Sequence, residues 1–208
     1  KEIDGLRATA VLVIIFFHMQ IPGFSGGFIG VDVFFVVSGF LITQIIVSNL
    51  KTGQFSFRDF YVRRVTRIIP ALAVTVATVL LFSLYLQMPR ALLHTAQQSI
   101  YALLSVSNFF FWSESNYWAP AAETFVLLHT WSLGVEEQFY LVYPLMLVAA
   151  HRWRGSRGVV IVLLLTFGVS LYASEIATRH HREAAFYFTP LRFYEFALGG
   201  LGTFVVQR

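Results

Sequence analysis

The chain contains 208 residues, of which 57% are hydrophobic and only 12% are charged, about half of the ~25% charged residues in an ordinary soluble domain. This composition excludes a soluble globular protein and a disordered chain, and it predicts that the bilayer is the solvent for most of the protein. No cysteine is present, which excludes disulfides, thiolate metal sites and cysteine nucleophiles. The basic residues border apolar runs, as is usual in a membrane protein, so we expect no nucleic acid partner. We also expect no metal.

The first part of the chain predicts three transmembrane helices. Residues 8–23 and 29–50 are the first two apolar segments of spanning length. A hydrophilic, arginine-rich stretch follows at residues 51–67. Residues 68–87 form the third predicted span, and Pro70 is expected in its first turn, where a missing N–H is tolerated.

The next apolar run, Ile100–Trp112, is too short for an ordinary span and predicts a re-entrant or short helix. Three further spans are expected at residues 131–150, 159–174 and 191–206. Loops are expected between them, at the basic residues 151–157 and around the basic residues 179–182. The sequence therefore predicts an all-α polytopic transmembrane bundle of about six spans plus one re-entrant or short helix.

The distribution of lysine and arginine predicts the orientation of this bundle. If the N-terminus is cytoplasmic and Ile100–Trp112 does not cross, eleven of the 15 basic residues lie on the cytoplasmic side and four outside. If that run did cross, the basic loop at 151–157 would lie outside. The positive-inside rule thus favours a cytoplasmic N-terminus.

Arg7 lies at the cytoplasmic mouth of the first apolar segment, and His18 is expected near or past the middle of the membrane. A charge at the bilayer centre costs at least ~3 kcal/mol, so such residues indicate function by default. Eleven residues separate the two, which places them on one helix face about 16 Å apart. A neutral imidazole is a suitable general base for a hydroxyl group. The alternative is a snorkelling arginine and a histidine that caps the helix end near Pro22.

The segment RRVTR stands immediately before the third apolar run. Arg63 and Arg67 are four residues apart and share a helix face. Guanidinium groups bind phosphates bidentately, so this pair could hold a nucleotide-containing donor. The alternative is an ordinary positive-inside signal. Arg64 points away from the pair and is expected to meet lipid headgroups.

Asp32 lies in the first turn of the second predicted span, where Gly30 and Gly39 allow close helix approach. Its carboxylate could orient His18. Alternatively, it is a helix N-terminal charge that the macrodipole favours. The residues leave both readings open.

Glu136 and Glu137 are adjacent carboxylates inside an apolar helix, which is too costly for packing alone. Because they point about 100° apart, at least one is expected to face a polar cavity. Glu136 lies at a depth where it could approach His18. The alternative is a structural pair that bridges to Arg7 or Arg192.

The last predicted helix carries a further pair of opposite charges. Arg192 and Glu195 are three residues apart and therefore neighbours on the helix surface. We expect an internal ion pair between them.

Five motifs in order resemble the acyltransferase-3 family of integral membrane acyltransferases, from Ile3 to Gly200. They are IDGLRATAVLVIIFFH, GVDVFFVVSGFLI, FYVRRVTRIIPAL, LLHTWSLGVEEQFYLVYPL and LRFYEFALGG. The resemblance implies a bundle of about ten helices in a bacterial inner (cytoplasmic) membrane. It also implies transfer of an acyl group, usually acetyl, from cytoplasmic acyl-CoA to a sugar hydroxyl outside. Such acceptors include lipopolysaccharide, peptidoglycan and other envelope or exported carbohydrates.

The same resemblance implies roles for individual residues. The family's motif positions correspond to Arg7, His18, Arg63, Arg67 and Glu136. His18 would be the general base or a transient acyl acceptor, with Asp32 or Glu136 orienting it. Arg63 and Arg67 would bind the CoA phosphates, and Arg7 would guide the donor or stabilise the thioester oxyanion.

The family pattern also implies a longer protein. Residues 1–208 are expected to be a single membrane acyltransferase domain that is incomplete at its C-terminus. The stretch NFFFWSESNYW together with the Glu136 motif is most similar to members that carry a downstream SGNH-like domain.

Two other functions are compatible with the residues. A proton-coupled transporter of a lipid-linked sugar or small anion could use His18, Glu136 and Glu137 as a relay. Such transporters usually show inverted repeats, and none is visible here. A non-catalytic assembly subunit would leave the intramembrane histidine and glutamates without a role.

Overall fold

The computed structural model describes residues 2–115 and 124–206, and every regular element in these residues is a helix. The eight helices are α1 (Glu2–His18), α2 (Ile29–Lys51), α3 (Phe57–Leu86), α4 (Pro89–Leu103), α5 (Ser107–Glu114), α6 (Thr130–His180), α7 (Arg182–Tyr187) and α8 (Thr189–Val206). The all-α prediction is confirmed. Residues 116–123, which include the end of the stretch NFFFWSESNYW, lie outside the described residues.

Three of the described helices, α2, α3 and α6, are long and apolar enough to cross a membrane. Together they support a multi-pass membrane protein. The predicted totals of six spans here and ten helices in the family bundle stay predictions, as does the cytoplasmic N-terminus.

The first and third predicted spans differ from the observed helices at their ends. α1 ends at His18 rather than residue 23, and Gln20 and Gly23 follow with positive φ. α3 begins at Phe57, eleven residues before the predicted start, because the Ser56 side chain caps it by accepting from the backbone N–H of Asp59. The prediction that Pro70 lies in the first turn is therefore wrong.

The predicted short helix at Ile100–Trp112 is two helices. α4 ends at Leu103 and α5 begins at Ser107, and between them Ser105 has a left-handed φ of 61°. α4 buries the polar residues Thr95, Gln98 and Ser99 and exposes Leu93, Ile100 and Leu103. A helix that is apolar outside and polar inside is suited to a lipid environment.

The two predicted spans at 131–150 and 159–174 are the two arms of α6. Only Arg154 and Gly155 leave helical geometry, so the prediction of a seven-residue loop is wrong. Gly158 permits the sharp bend, since a Cβ there would collide with the Ala150 carbonyl. The second arm continues to His180, and α7 begins at Arg182, so the predicted loop at residues 179–182 is reduced to one residue.

The chain divides into two compact units, and the first contains residues 1–54, 143–176 and 190–208. Within it, glycines bring helices into close contact, as predicted for Gly30 and Gly39. A Cβ at Gly30 would lie 2.7 Å from the Ala10 carbonyl oxygen of α1, and one at Gly39 would collide with the Phe196 backbone of α8. The rings of Phe35 and Phe196 stack at 4.7 Å beside this contact.

The second unit contains residues 55–142 and 177–189. α3 and α4 pack through a small apolar cluster formed by Leu72, Val76, Ala102 and Leu127. The α7 aromatic rings pack on Trp131, which lies 4.3 Å from Phe186 and 5.7 Å from Tyr187 by ring centroids. Burial raises the pKa of the Tyr187 hydroxyl.

Candidate functional site

In the first unit, α1 carries both Arg7 and His18 on one continuous helix. The Arg7 guanidinium lies 5.7 Å from the ring centroid of Phe34 on α2, a cation–π contact. His18 is the last residue of α1, is exposed in the chain, and packs edge-on against Phe17 with centroids 5.2 Å apart. The roles of both residues stay predictions.

The first unit also contains a three-residue ionic network. Arg192 Nη1 donates to Glu195 Oε1 at 2.6 Å, which confirms the predicted ion pair. The same nitrogen donates to Asp32 Oδ1 at 3.0 Å. Asp32 lies in the first turn of α2, as expected. The network joins α2 to α8, and sequence reasoning did not anticipate Arg192 as the partner of Asp32.

In the second unit, the arginines of α3 point in different directions. Arg63 and Arg67 are exposed on one face. Arg64 instead stacks on two aromatic rings, 5.6 Å from the centroid of Phe60 and 5.2 Å from that of Tyr140. Arg64 therefore points away from the exposed pair, as predicted, because α6 lies on its side of α3 and offers Tyr140 as a partner. Its contact with lipid headgroups stays a prediction.

A cavity of about 340 Å³ lies in the second unit between α3, the α4–α5 connection and the first arm of α6. Its volume is in the range of small-molecule sites. Its wall is mostly apolar and contains a few polar groups. The residues that line the cavity include Tyr61, Arg64, Val65, Ile68, Ser105, Glu137, Gln138 and Tyr140.

The two adjacent glutamates of α6 have different surroundings. Glu137 lines the cavity, and its buried Oε2 has no hydrogen-bond partner among the described residues. Glu136 accepts a hydrogen bond from the hydroxyl of Tyr140, the ring that also receives Arg64. At least one of the two glutamates was expected to face a cavity, and Glu137 does so.

Sequence reasoning assigned no role to a buried amide network beside this cavity. Gln138 Nε2 donates to the Ser105 carbonyl at 2.9 Å and to Asn108 Oδ1 at 2.8 Å. Gln138 Oε1 accepts from Thr189 Oγ1 at 2.5 Å, and Asn108 Nδ2 donates to the Tyr187 carbonyl at 3.0 Å. The signal that could have found it is a lone amide in each of two apolar helices.

His94 and Glu114 form a second feature that sequence reasoning missed. The backbone N–H of Leu127 donates to Gln98 Oε1, so the Gln98 amide nitrogen faces His94 Nδ1 at 3.3 Å. Nδ1 is then an acceptor, and the ring proton on Nε2 faces Glu114 at 3.4 Å. Both ring nitrogens are engaged, which makes this histidine a structural link between α4 and α5.

The described residues place the predicted site residues in both units. Arg7, His18 and Asp32 belong to the first, and Arg63, Arg67 and Glu136 belong to the second. Across the described ranges 2–115 and 124–206, no group of three histidine, aspartate or glutamate side chains could hold a metal ion.

Comparison with known proteins identifies relatives along most of the chain. The family pattern described as "Acyltransferase domain" matches residues 1–205. The chain is 37% identical over 171 residues, 81% of its length, to "O-acetyltransferase OatA" of Staphylococcus aureus. It is 35% identical over 170 residues, again 81% of its length, to "Peptidoglycan O-acetyltransferase OatA" of Listeria monocytogenes. No solved structure gives a significant match.

The matched region is only part of each relative. It amounts to 28% of the Staphylococcus aureus protein and 27% of the Listeria monocytogenes protein. These relatives are therefore more than three times as long as the region that the chain shares with them.

Proposed function

The chain belongs to the acyltransferase domain family, and from that membership we propose that it is the membrane part of an enzyme that transfers an acetyl group to a hydroxyl of a cell-envelope carbohydrate. The family match over residues 1–205 carries the proposal. The names of the relatives favour O-acetylation over transport, and one of these names includes peptidoglycan. We take peptidoglycan as the acceptor class in preference to lipopolysaccharide.

The donor in this proposal is acetyl-CoA on the cytoplasmic side of the bacterial inner membrane. The exposed pair Arg63 and Arg67 on α3 is available for the CoA phosphates. Their exposure and their common helix face support this assignment. The cytoplasmic N-terminus and six spans complete the proposed topology.

His18 is the proposed general base for the acceptor. Its imidazole takes the proton of the sugar hydroxyl while the hydroxyl oxygen attacks the thioester carbonyl. The carbon–sulfur bond then breaks, and the CoA thiolate leaves and takes up that proton. In the alternative sequence, His18 itself accepts the acetyl group before the hydroxyl does. Arg7, about 16 Å from His18 along α1, guides the donor, and Asp32 or Glu136 orients the imidazole.

Replacing His18 tests this proposal in the full-length protein. We expect His18→Ala to lower acetyl transfer at least a hundredfold, because general-base catalysis contributes about 10²- to 10⁴-fold. Membrane content of the protein should not change. His180→Ala is the matched control, since His180 is also exposed at a helix end. Ester-linked acetate on purified peptidoglycan is the readout, and full acetylation by His18→Ala would refute the assignment.

A further inference from the structure

One buried polar atom in the cavity of the second unit indicates which kind of ligand the cavity could bind. Glu137 Oε2 is buried, lines this cavity and lacks a hydrogen-bond donor among the described residues. Leaving a buried acceptor unsatisfied costs about 1–3 kcal/mol, and more for a charged group. A molecule that enters the cavity and brings an N–H or O–H group would remove this cost.

The remaining wall restricts the class of that molecule. Val65, Ile68 and their apolar neighbours make up most of the surface, so a free saccharide would leave many hydroxyls unpaired. Arg64 also lines the cavity, but its guanidinium is stacked on the Phe60 and Tyr140 rings, and a phosphate beside it would still be repelled by the Glu137 carboxylate. An uncharged, narrow chain with apolar segments and amide N–H groups satisfies both conditions.

The position of the cavity on α3 indicates where such a chain comes from. Arg64 and Ile68 line the cavity, and each directly follows one of the exposed arginines, Arg63 and Arg67. Successive residues on a helix are 100° and 1.5 Å apart. A nucleotide held at the exposed arginines would thus stand within one helical turn of the cavity.

We propose that this cavity holds the pantetheine arm of the acyl-CoA donor, with Glu137 accepting a hydrogen bond from an amide N–H of the arm. The inference rests on the proposed function, because it takes the donor to be acyl-CoA. Gln138 is a positioning residue here: its bond to the Ser105 carbonyl holds the α4–α5 connection that forms one wall.

The absence of cysteine in the chain allows a direct accessibility test. In the full-length protein, with any cysteine elsewhere replaced, Val65→Cys places a thiol on the cavity wall, and Val62→Cys is the control on the same helix. The two valines are similarly exposed, at 56% and 52%, but only Val65 lines the cavity. The rate of modification by a small charged methanethiosulfonate reagent is measured in native membrane vesicles.

Three thiol-free compounds distinguish binding of the pantetheine arm from binding of the nucleotide. We expect desulfo-CoA and desulfopantetheine to slow modification of Val65→Cys about tenfold, and 3′,5′-ADP to have no effect. Val62→Cys should react equally in all conditions. If acetyl-CoA supports acetylation but neither arm-containing compound protects Val65→Cys, or if this thiol never reacts because another segment fills the cavity, the inference is wrong and the proposed function stands. If acetyl-CoA is no donor at all, the proposed function fails first.

A second variant tests Glu137 itself. In Glu137→Gln, the carboxylate loses its charge and one of its oxygens becomes an NH₂ group, so the acceptor for the N–H of the arm is weaker. We expect the KM for acetyl-CoA to rise about tenfold, since a hydrogen bond to a charged acceptor contributes about 1.5 kcal/mol or more, with kcat within twofold. Glu183→Gln, at an exposed glutamate of α7, is the control. A fall in kcat with an unchanged KM would contradict the binding role.

Discussion

Arg192 supplies the positive charge that balances two carboxylates in the ionic network of the first unit. Its side chain is 11% exposed and faces two carboxylates, of which Glu195 is 3% exposed and Asp32 is 35% exposed. Removing the only cation from such a group leaves buried negative charge without compensation, which is far more costly than the net gain from the intact pair. The network also joins the first turn of α2 to α8.

Replacing Arg192 should therefore destabilise the protein strongly. We expect Arg192→Met to lower the free energy of unfolding by about 3 kcal/mol or more. Adding Glu195→Gln to that variant removes one negative charge and should restore part of the loss. Thermal unfolding in detergent measures both effects, with Arg182→Met on exposed α7 as the control. Equal stability of Arg192→Met and the parent would contradict the network's structural importance.

Single residues show which contacts a sequence can reveal. The Arg192–Glu195 pair was predictable because three residues along a helix are neighbours by geometry alone. The third member, Asp32, lies 160 residues away and is known only once α2 packs on α8. The partner of Arg64 on α6 could not be predicted for the same reason, because Tyr140 reaches Arg64 only where α6 packs beside α3.

Small residues determine how closely the helices of the first unit approach. A Cβ at Gly39 would collide with the backbone of Phe196, and one at Gly199 would collide with the Val36 carbonyl. The two glycines therefore allow α2 and α8 to touch backbone to backbone. Such contacts are typical of helices in lipid, where association depends on close packing rather than on the hydrophobic effect.

Enlarging Gly39 should separate these two helices. We expect Gly39→Ala to lower the free energy of unfolding by about 1–3 kcal/mol, the usual cost of overpacking. Gly168→Ala is the matched control, because nothing lies within 4 Å of a Cβ built there, and its helix propensity should be slightly better. Unfolding midpoints in detergent compare the two. A Gly39→Ala variant as stable as Gly168→Ala would show that α2 and α8 pack less closely.

The sequence predicted which helices form more accurately than it predicted the residues at which they begin and end. Hydropathy correctly identified α2 and α8, whose apolar segments coincide with the helices. It placed the start of α3 at residue 68, because it detects the lipid-facing part and not the polar turns that Ser56 caps. The sequence also predicted a basic loop where the structure has only a two-residue break in the helix, at Arg154 and Gly155. Charge patterns contain no information on backbone angles.

At the scale of the molecule, the motifs predicted the family correctly, and residues 1–205 carry its pattern. The sequence also located the ionisable residues within apolar helices. It could not locate the cavity lined by Glu137, because that site forms only where α3, α6 and the α4–α5 connection meet. The proposed enzyme moves an acetyl group between compartments, so its substrates approach from opposite sides of the membrane.

Transfer across a sealed membrane tests that claim most directly. Inside-out vesicles containing the full-length protein enclose a peptidoglycan fragment, and acetyl-CoA labelled in the acetyl group is added outside. We predict labelled O-acetyl ester on the enclosed fragment, and none with the His18→Ala protein. Label that enters the vesicles without forming an ester, or that is transferred equally by His18→Ala, would contradict the proposed acetyl transfer.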